Sequence, residues 1–454
     1  MKLQETKKSF KISRTTPLTI FSCPSPIGMR RLWIRDKLKK VILFIVTLTI
    51  LICSFTTMFS SVNEQAPLLK TFGPTGMFER LRMTAEYGIN CSAIYEMEPV
   101  ELGKSLAIRK KKSYLGPTDR QIANATSDCD WFVKSKGYDV RQVSQLEREF
   151  PLAYSLVVHK DASLAERLLR AIYMPHNVYC IHYDLKSSDD FILAIKGLAR
   201  CIPNVFIASK LERVQYASIT RLKADLNCLS DLLESKVKWK YIINLCGQDF
   251  PLRTNAELVS DLKALKGMNM VESKRPGGKK WRWSFQFALK NNKSEYYKSP
   301  ICTFMAKPPP PHRLEMFVGS AYITLSREFV LFVKWSSLAR DFLSWSEDTY
   351  SPDEHFWATL VRVPGVPGEV PRSDPDITEL TSKTRLVKWL SFEEHLYPPC
   401  TGGHVRSVCI YGAAELRWLL NYGHWFANKV DPNVDPILIE CLEEKLLEKR
   451  LMSK

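Results

Sequence analysis

The sequence predicts a mixed α/β body, built on a mostly parallel sheet with helices on both faces and carried behind one apolar membrane-crossing helix. Two observations predict the body. Between about residues 150 and 270, short runs rich in β-branched and aromatic residues alternate with amphipathic stretches of ten or more residues. That is the pattern of strands joined by crossover helices. The chain beyond residue 126 is also long enough to bury a large core, even in two lobes. A third observation predicts the helix before it. The run 41–59 (VILFIVTLTILICSFTTMF) holds no charged residue, and at 1.5 Å per residue its helix reaches roughly 28 Å, about the thickness of a bilayer core.

The elements follow in order. Residues 1–40 hold eleven Lys or Arg against Glu5 and Asp36, so they form a basic tail. Arg30, Arg31, Arg35, Lys37, Lys39 and Lys40 stand just before the apolar run, and the segment after it is nearly uncharged. The positive-inside rule therefore predicts a cytosolic tail, a signal-anchor at 41–59 and a lumenal body: a single-pass type II arrangement. A cleaved signal peptide is the plainer alternative, but its apolar core is shorter and nearer the start, and no A-x-A-like site follows this run. Residues 60–125 read as a lumenal stem, where Pro, Gly and charges mix and no periodicity lasts. Residues 126–454 read as the globular domain.

The formal charge is +17, and the tail alone contributes +9 of it. The rest is spread over a lumenal body, which excludes nucleic acid as a natural partner and suits an anionic small molecule such as a nucleotide diphosphate. Of twelve cysteines, ten lie in that oxidising space, where disulfides are expected but spacing does not give their pairing. No C-x-x-C repeat offers a zinc site. Asn90-Cys-Ser, Asn124-Ala-Thr and Asn292-Lys-Ser are glycosylation sequons.

Within the body, strands are predicted at Ala153–Asp161, Asn177–Asp184, Val205–Ser209 and Lys240–Cys246. Helices are predicted at Ala162–Tyr173, Asp189–Ile202 and Ala217–Ser235, with another capped by Thr254. Ligands of such sheets bind beyond the strand carboxyl ends, which nominates His159, Asp184, Lys186 and the loop Gly247-Gln248-Asp249. The half from about 271 onward is less regular: a basic loop Lys274–Arg282, a polyproline stretch Pro308–Pro311, then a strand-like GSAYITLS and a helix. No G-x-G-x-x-G is present, so a dinucleotide fold lacks its fingerprint.

A body of this kind behind a type II anchor favours a Golgi glycosyltransferase over a hydrolase or receptor. Ser351-Pro-Asp-Glu-His-Phe-Trp-Ala-Thr, preceded by Asp348-Thr-Tyr, makes the reading specific. So do Gly319-Ser-Ala-Tyr, Asn244-Leu-Cys-Gly-Gln-Asp-Phe-Pro, Tyr397-Pro-Pro-Cys, His404-Val-Arg-Ser-Val-Cys and Phe426-Ala-Asn-Lys. Together they resemble the core 2/I-branching β-1,6-N-acetylglucosaminyltransferases, closest to the mucin-type core 2 members, from Cys91 to Cys441. The resemblance implies a glycosyltransferase-A-like fold with a donor half near 150–270 and an acceptor and catalytic half near 271–454. It implies inverting transfer of GlcNAc from UDP-GlcNAc to the 6-hydroxyl of the GalNAc in core 1 O-glycans of glycoproteins, in the Golgi membrane.

The resemblance also implies roles. Glu354 is the general base. A capping box Ser351-x-x-Glu354 with Pro352 at N1 is the plainer account of the same residues. Val157, Val158, His159, Asp184, Leu185, Lys186 and Tyr216 contact the donor. Arg406 and Lys429 neutralise its diphosphate, so that neither a divalent metal nor any other cofactor is required; two cations with a bidentate guanidinium fork are adequate for that task. The Asp-x-Asp pairs at Asp128–Asp130 and Asp374–Asp376 fall outside any strand end and read as solvated turns. Glu272, Lys279, Arg282 and Trp389 contact the acceptor. Ser391 stands where the mucin-type pattern has an aromatic residue, which bears on the choice of acceptor. Implied disulfides are Cys91–Cys441, Cys129–Cys201, Cys180–Cys228 and Cys400–Cys409, with Cys246 free. Cys302 has no counterpart, and the sequence leaves open whether it joins two copies in a homodimer. An I-branching or xylosyl-type transferase on the same fold, and a catalytically silent O-glycan-binding lectin, are the alternatives.

Overall fold

The computed structural model describes residues 87–452, apart from 112, 113, 115, 140, 290–298 and 394. The predicted tail and apolar span, the first part of the stem and Asn292 lie outside the described residues. Among the described residues no helix is long and apolar enough to cross a membrane.

Thirteen strands are described. The first five are β1 (Leu152–Val158), β2 (Val178–Tyr183), β3 (Val205–Ile207), β4 (Tyr241–Cys246) and β5 (Asp249–Pro251). Then come β6 (Met270–Val271), β7 (Phe285–Ala288), β8 (Ile301–Ala306) and β9 (Ile323–Ser326). The last are β10 (Leu386–Val387), β11 (Gly403–Val405), β12 (Val408–Ile410) and β13 (Phe426–Asn428). The central sheet has six strands in the order β3-β2-β1-β4-β9-β6. β3, β2, β1 and β4 are parallel, and β9 runs antiparallel to both β4 and β6. Helices Ala162–Ile172, Asp189–Cys201 and Ile219–Glu234 make the crossovers, so the predicted alternation is the observed topology of this half.

Every residue of β1 is buried, and the period of two distributes its side chains over two cores. Tyr154, Leu156 and Val158 join Tyr241, Ile243 and Leu245 under helices Ala162–Ile172 and Asp189–Cys201. Ala153 and Ile242 face the opposite core, with Leu222, Leu229 and Leu232 of helix Ile219–Glu234. A sheet covered on both faces needs strands apolar on both faces, which is why these runs do not alternate with polar residues. The first strand stops at Val158, short of the predicted Asp161. Asp161 instead adopts a left-handed conformation (φ +62°) and caps the next helix, its Oδ1 accepting from the Leu164 amide at 2.9 Å. His159 and Lys160 are thereby freed as a loop at the sheet's carboxyl edge. Thr254 caps helix Asn255–Ala264 through a reciprocal box with Glu257.

A smaller sheet, β10-β13-β5, and the hairpin β11–β12 build the second half. The stretch 87–125, predicted to be aperiodic stem, holds three helices: Cys91–Tyr95, Pro99–Lys110 and Asp119–Ala125. Each is short and started by a side-chain cap from Asn90, Glu98 or Thr118, so no run is long enough to display a clear 3.6-residue period. Ile89, Cys91 and Ile94 are buried in a third core with Leu438, Cys441 and Leu442 of the long helix Pro436–Met452.

Three disulfides are formed: Cys91–Cys441, Cys129–Cys201 and Cys400–Cys409. Cys180 and Cys228, expected as a fourth, are buried free thiols in hydrogen-bond contact between β2 and helix Ile219–Glu234. Burial, then the contact with Cys228, holds the Cys180 thiol well above its usual range, which disfavours the thiolate that exchange requires. Cys246 is also free, and burial pushes it up to about 12.

Candidate active site

The parallel register sets Val158 beside Tyr183, so the segments that follow β1 and β2 emerge side by side. The Asp184 amide donates to the Val158 carbonyl at 3.0 Å, and the Ser187 hydroxyl to the His159 carbonyl at 2.9 Å. Val157, Val158 and His159 therefore share one edge with Asp184, Leu185 and Lys186. Asp184 Oδ1 accepts from the Lys186 amide (2.9 Å) and the Val214 amide (3.3 Å), while Lys186 Nζ donates to the Val214 carbonyl at 2.6 Å. The Leu185 amide bonds to the Glu212 carbonyl. These contacts hold the segment before Tyr216 against the sheet edge. Burial, with Lys160 next, lowers the His159 imidazole, which stays neutral near neutral pH.

Tyr216 meets Arg406. The guanidinium lies over the ring at 4.6 Å from its centroid, a cation–π arrangement. Arg406 and Ser407 form the two-residue turn of β11–β12 and both are left-handed, at φ +52° and +63°. Such a conformation suits the twist of a hairpin but is costly for residues with a Cβ, so the turn projects an arginine where glycine or asparagine would be easier. Cys409 of β12, bridged to Cys400, braces that hairpin. Lys429 follows β13 and is fixed through its backbone, its carbonyl accepting from Tyr411 at 3.0 Å. Burial lowers the Lys429 ammonium, and repulsion by Arg406 and Lys160 acts in the same direction, against weaker help from Cys246 and Asp249. Among the described residues neither cation is ion-paired with a carboxylate. The nearby Asp249 is spent elsewhere. Fully buried, it binds Arg385 (3.3 Å), the Asn428 amide group (2.8 Å) and the Cys246 amide (2.6 Å). Of the loop nominated from sequence, Asp249 is thus a scaffold residue, and Gln248 bonds to Asp431 at 3.1 Å.

Ser351–Glu354 lies against the same wall, because the Ser351 amide donates to the carbonyl of Ala217, the neighbour of Tyr216, at 2.9 Å. The capping box is not made. Ser351 is left-handed (φ +46°), makes no side-chain cap, and Pro352–Glu354 is a single 3-10 turn. Instead the Glu354 carboxylate lies 2.5 Å from Arg282 Nη1. The Glu354 carbonyl accepts from the Gly319 amide at 2.8 Å. Gly319 is required there, since a Cβ would stand 1.7 Å from the Glu272 carbonyl oxygen. Glu272, Gly319 and Glu354 are therefore in backbone contact. Glu272 pairs with Lys274 at 2.6 Å, and burial pushes its carboxyl up to about 7 despite that partner.

The other residues expected around an acceptor divide. Arg282 is at Glu354, with its guanidinium about 6 Å from the ring centroids of Trp281 (5.9 Å) and Tyr350 (6.0 Å). Trp389 is 40% exposed and sits instead beside the Arg406 turn, paired with Val408, while the next amide, Leu390, bonds to the Ser407 carbonyl. Lys279 stands on an exposed turn, Gly277–Lys280. The Asp-x-Asp segments have their own partners: Asp128 caps helix Cys129–Lys136, and Asp376 pairs with Arg275.

Sequence reasoning missed two residues here. Asp353 is buried next to Glu354 with Oδ1 unbonded; burial, then the Glu354 charge, raises its carboxyl to about 7, against the pull of Arg221. It lay within the recognised motif but was overshadowed by its neighbour. Arg362 is also buried; it donates to the Ser273 hydroxyl and carbonyl and to the carbonyls of Pro371, Asp374 and Pro375. It thereby fixes the residue after Glu272, and no sequence signal marked it.

A sequence model of the Core-2/I-Branching enzyme family matches residues 152–420. The chain is 64% identical over 365 residues to a Danio rerio protein named β-1,3-galactosyl-O-glycosyl-glycoprotein β-1,6-N-acetylglucosaminyltransferase 4, covering 80% of this chain and 85% of that one. It is 59% identical to the Mus musculus protein of the same name, over 81% of this chain and 80% of that one. A Homo sapiens β-1,3-galactosyl-O-glycosyl-glycoprotein β-1,6-N-acetylglucosaminyltransferase is 46% identical, over 80% and 86%. The family match takes in the whole central sheet, Glu354 and Arg406, and on these grounds the chain belongs to the core-2/I-branching enzyme family.

Proposed function

We propose that this enzyme transfers GlcNAc from UDP-GlcNAc, with inversion, to the 6-hydroxyl of the GalNAc in core 1 O-glycans of glycoproteins, forming a β-1,6 core 2 branch. One observation carries the reading. Two cations without carboxylate partners among the described residues, Arg406 and Lys429, stand at the sheet's carboxyl edge, and Tyr216, Ala217 and Ser351 link that edge to Glu354. A diphosphate relieves the repulsion between the cations. The acceptor oxygen then attacks the anomeric carbon and the bond from that carbon to the phosphate oxygen breaks. Glu354 takes the hydroxyl proton as general base, and the charge that develops on UDP is met by Arg406 and Lys429. His159, Asp184 and Lys186 shape the nucleotide end; Glu272 and Arg282 orient the acceptor sugar. Two cations supply what a divalent metal supplies elsewhere, so the reading is metal-independent. The fold is of the glycosyltransferase-A kind, and the chain resides in the Golgi membrane through the apolar run 41–59.

The names of the relatives support the donor sugar and the linkage. Incubation of the full chain with UDP-GlcNAc and a panel of core 1, core 3 and linear lactosamine acceptors tests the reading, with the product linkage located. The proposal predicts a new β-1,6 linkage on core 1. Transfer to linear lactosamine alone would favour I-branching, and glycan binding without transfer would favour a lectin.

A further inference from the structure

A second cavity lies away from Glu354, where helices Cys91–Tyr95 and Leu416–Asn421 meet the loop before β11. Its volume is about 630 Å³, within the range of small-ligand sites. Trp418 and Tyr422 form its floor, with ring centroids 4.7 Å apart, and Pro398 and Pro399 one wall. Trp418 is held in place from several sides: Tyr397 packs edge-on, Tyr411 lies at 6.3 Å, and the buried Lys388 ammonium sits 4.6 Å from the indole. Arg417 and Asn421, both exposed, stand at the rim, with only long contacts of 3.2–3.4 Å to Tyr95 and Glu96 on the neighbouring turn.

We propose that this groove binds a neutral oligosaccharide, a glycan of the acceptor glycoprotein other than the one undergoing transfer. The choice of glycan class rests on the function proposed above. A fixed aromatic platform offers flat apolar faces to the C–H face of a pyranose, and planar Arg and Asn groups beside it can share hydrogen bonds with hydroxyls. The groove is continuous with the walls of the candidate active site. Thr401 lines it and leads through β11, a hairpin strand of about 10 Å, to Arg406. Glu415, also in its lining, pairs with Lys388, the neighbour of Trp389. A glycoprotein carrying several glycans could therefore reach both places at once, and the second contact would act as an effective-concentration gain.

The test uses the full chain in detergent, with one peptide sequence bearing one or five core 1 disaccharides or none. Trp418→Ala should raise KM for the five-glycan peptide about tenfold, the scale of one lost stacking contact. It should leave kcat and the KM of the one-glycan peptide unchanged, and Trp418→Phe should recover part of the loss. Asn421→Ala, at the exposed rim, should give a smaller rise of the same selectivity and serves if Trp418→Ala fails to fold. Binding is measured separately in Glu354→Gln by saturation-transfer NMR, so the groove is tested even if no transfer occurs. There the five-glycan peptide should bind, and Trp418→Ala should abolish its contact signals. Equal KM changes for both glycopeptides, no change for either, or equal binding of the unglycosylated peptide would each overturn the proposal.

Discussion

The Arg282 guanidinium lies 2.5 Å from the carboxylate of Glu354. That ion pair takes the place of the helix cap that the Ser-Pro-Asp-Glu spacing alone would suggest, and it leaves the carboxylate partly exposed, beside residues expected to hold an acceptor sugar. A carboxylate held by one arginine is ionised and aimed, while its second oxygen stays available to accept a proton. Arg282→Ala should therefore raise the acceptor KM and lower kcat, together by about 10–100-fold, the scale of a charge-assisted contact. UDP affinity should be unchanged. Steady-state kinetics with varied acceptor, beside calorimetric UDP titration, separate the two.

Arg406 and Lys429 should behave in the opposite way. Arg406→Ala or Lys429→Ala should weaken UDP binding at least tenfold and slow transfer, and the wild type should keep full activity in excess EDTA with no gain from Mn²⁺. Because burial and its cationic neighbours lower the Lys429 ammonium, a bound diphosphate favours the protonated form. UDP affinity should thus fall as pH rises through that lowered value, and Lys429→Arg should remove the fall. EDTA inhibition, or UDP binding indifferent to both alanines, would count against this assignment.

The Cys400–Cys409 bridge closes a loop of only 9 residues in separation, so its entropic effect on the unfolded chain is modest, about 3 kcal/mol at most. Its position beneath the Arg406 turn matters more. Replacing both cysteines with Ser should weaken UDP binding by a larger factor than the drop in Tm alone explains. A large Tm loss with native UDP affinity would reduce the bridge to a staple.

Asp353 and Glu272 predict a pH dependence of stability. Burial raises both carboxyls to about 7, above their unfolded values. The folded state therefore binds more protons than the unfolded chain between roughly pH 4 and 7, and stability falls as pH rises through that window. Asp353→Asn should flatten its share, which is at most about 4 kcal/mol. The variant should gain Tm relative to wild type at pH 8 and much less at pH 5. An equal difference at both pH values would show that the Asp353 carboxyl is ionised throughout.

Much of the donor half was legible because its signals are local. Strands such as Leu152–Val158 and Tyr241–Cys246 are apolar on both faces, and the crossover helices carry their own caps and periodicity. Hence the carboxyl-edge positions of His159, Asp184 and Lys186 could be read before any coordinates. The three short helices of 91–125 were not legible, because each is held by a long-range partner: Cys91 by Cys441, and Asp119–Ala125 by helix Asp189–Cys201. Nor was the split between Arg282 and Trp389, since strand pairing with β12 far along the chain puts Trp389 at the Arg406 turn. The cap at Ser351 failed for a related reason. Its backbone is committed to Ala217, and its left-handed conformation takes the hydroxyl out of capping geometry.

The most direct measurement is paired transfer activity and UDP affinity of Glu354→Gln. Glutamine keeps the size of the side chain and can still face Arg282, but it cannot accept the proton from the acceptor hydroxyl. Transfer should fall by roughly 10²–10⁴, the usual contribution of a general base, while UDP affinity and Tm stay near wild type because Arg406 and Lys429 hold the diphosphate separately. A Gln variant that retains near-wild-type transfer would contradict the assignment of Glu354 as the base.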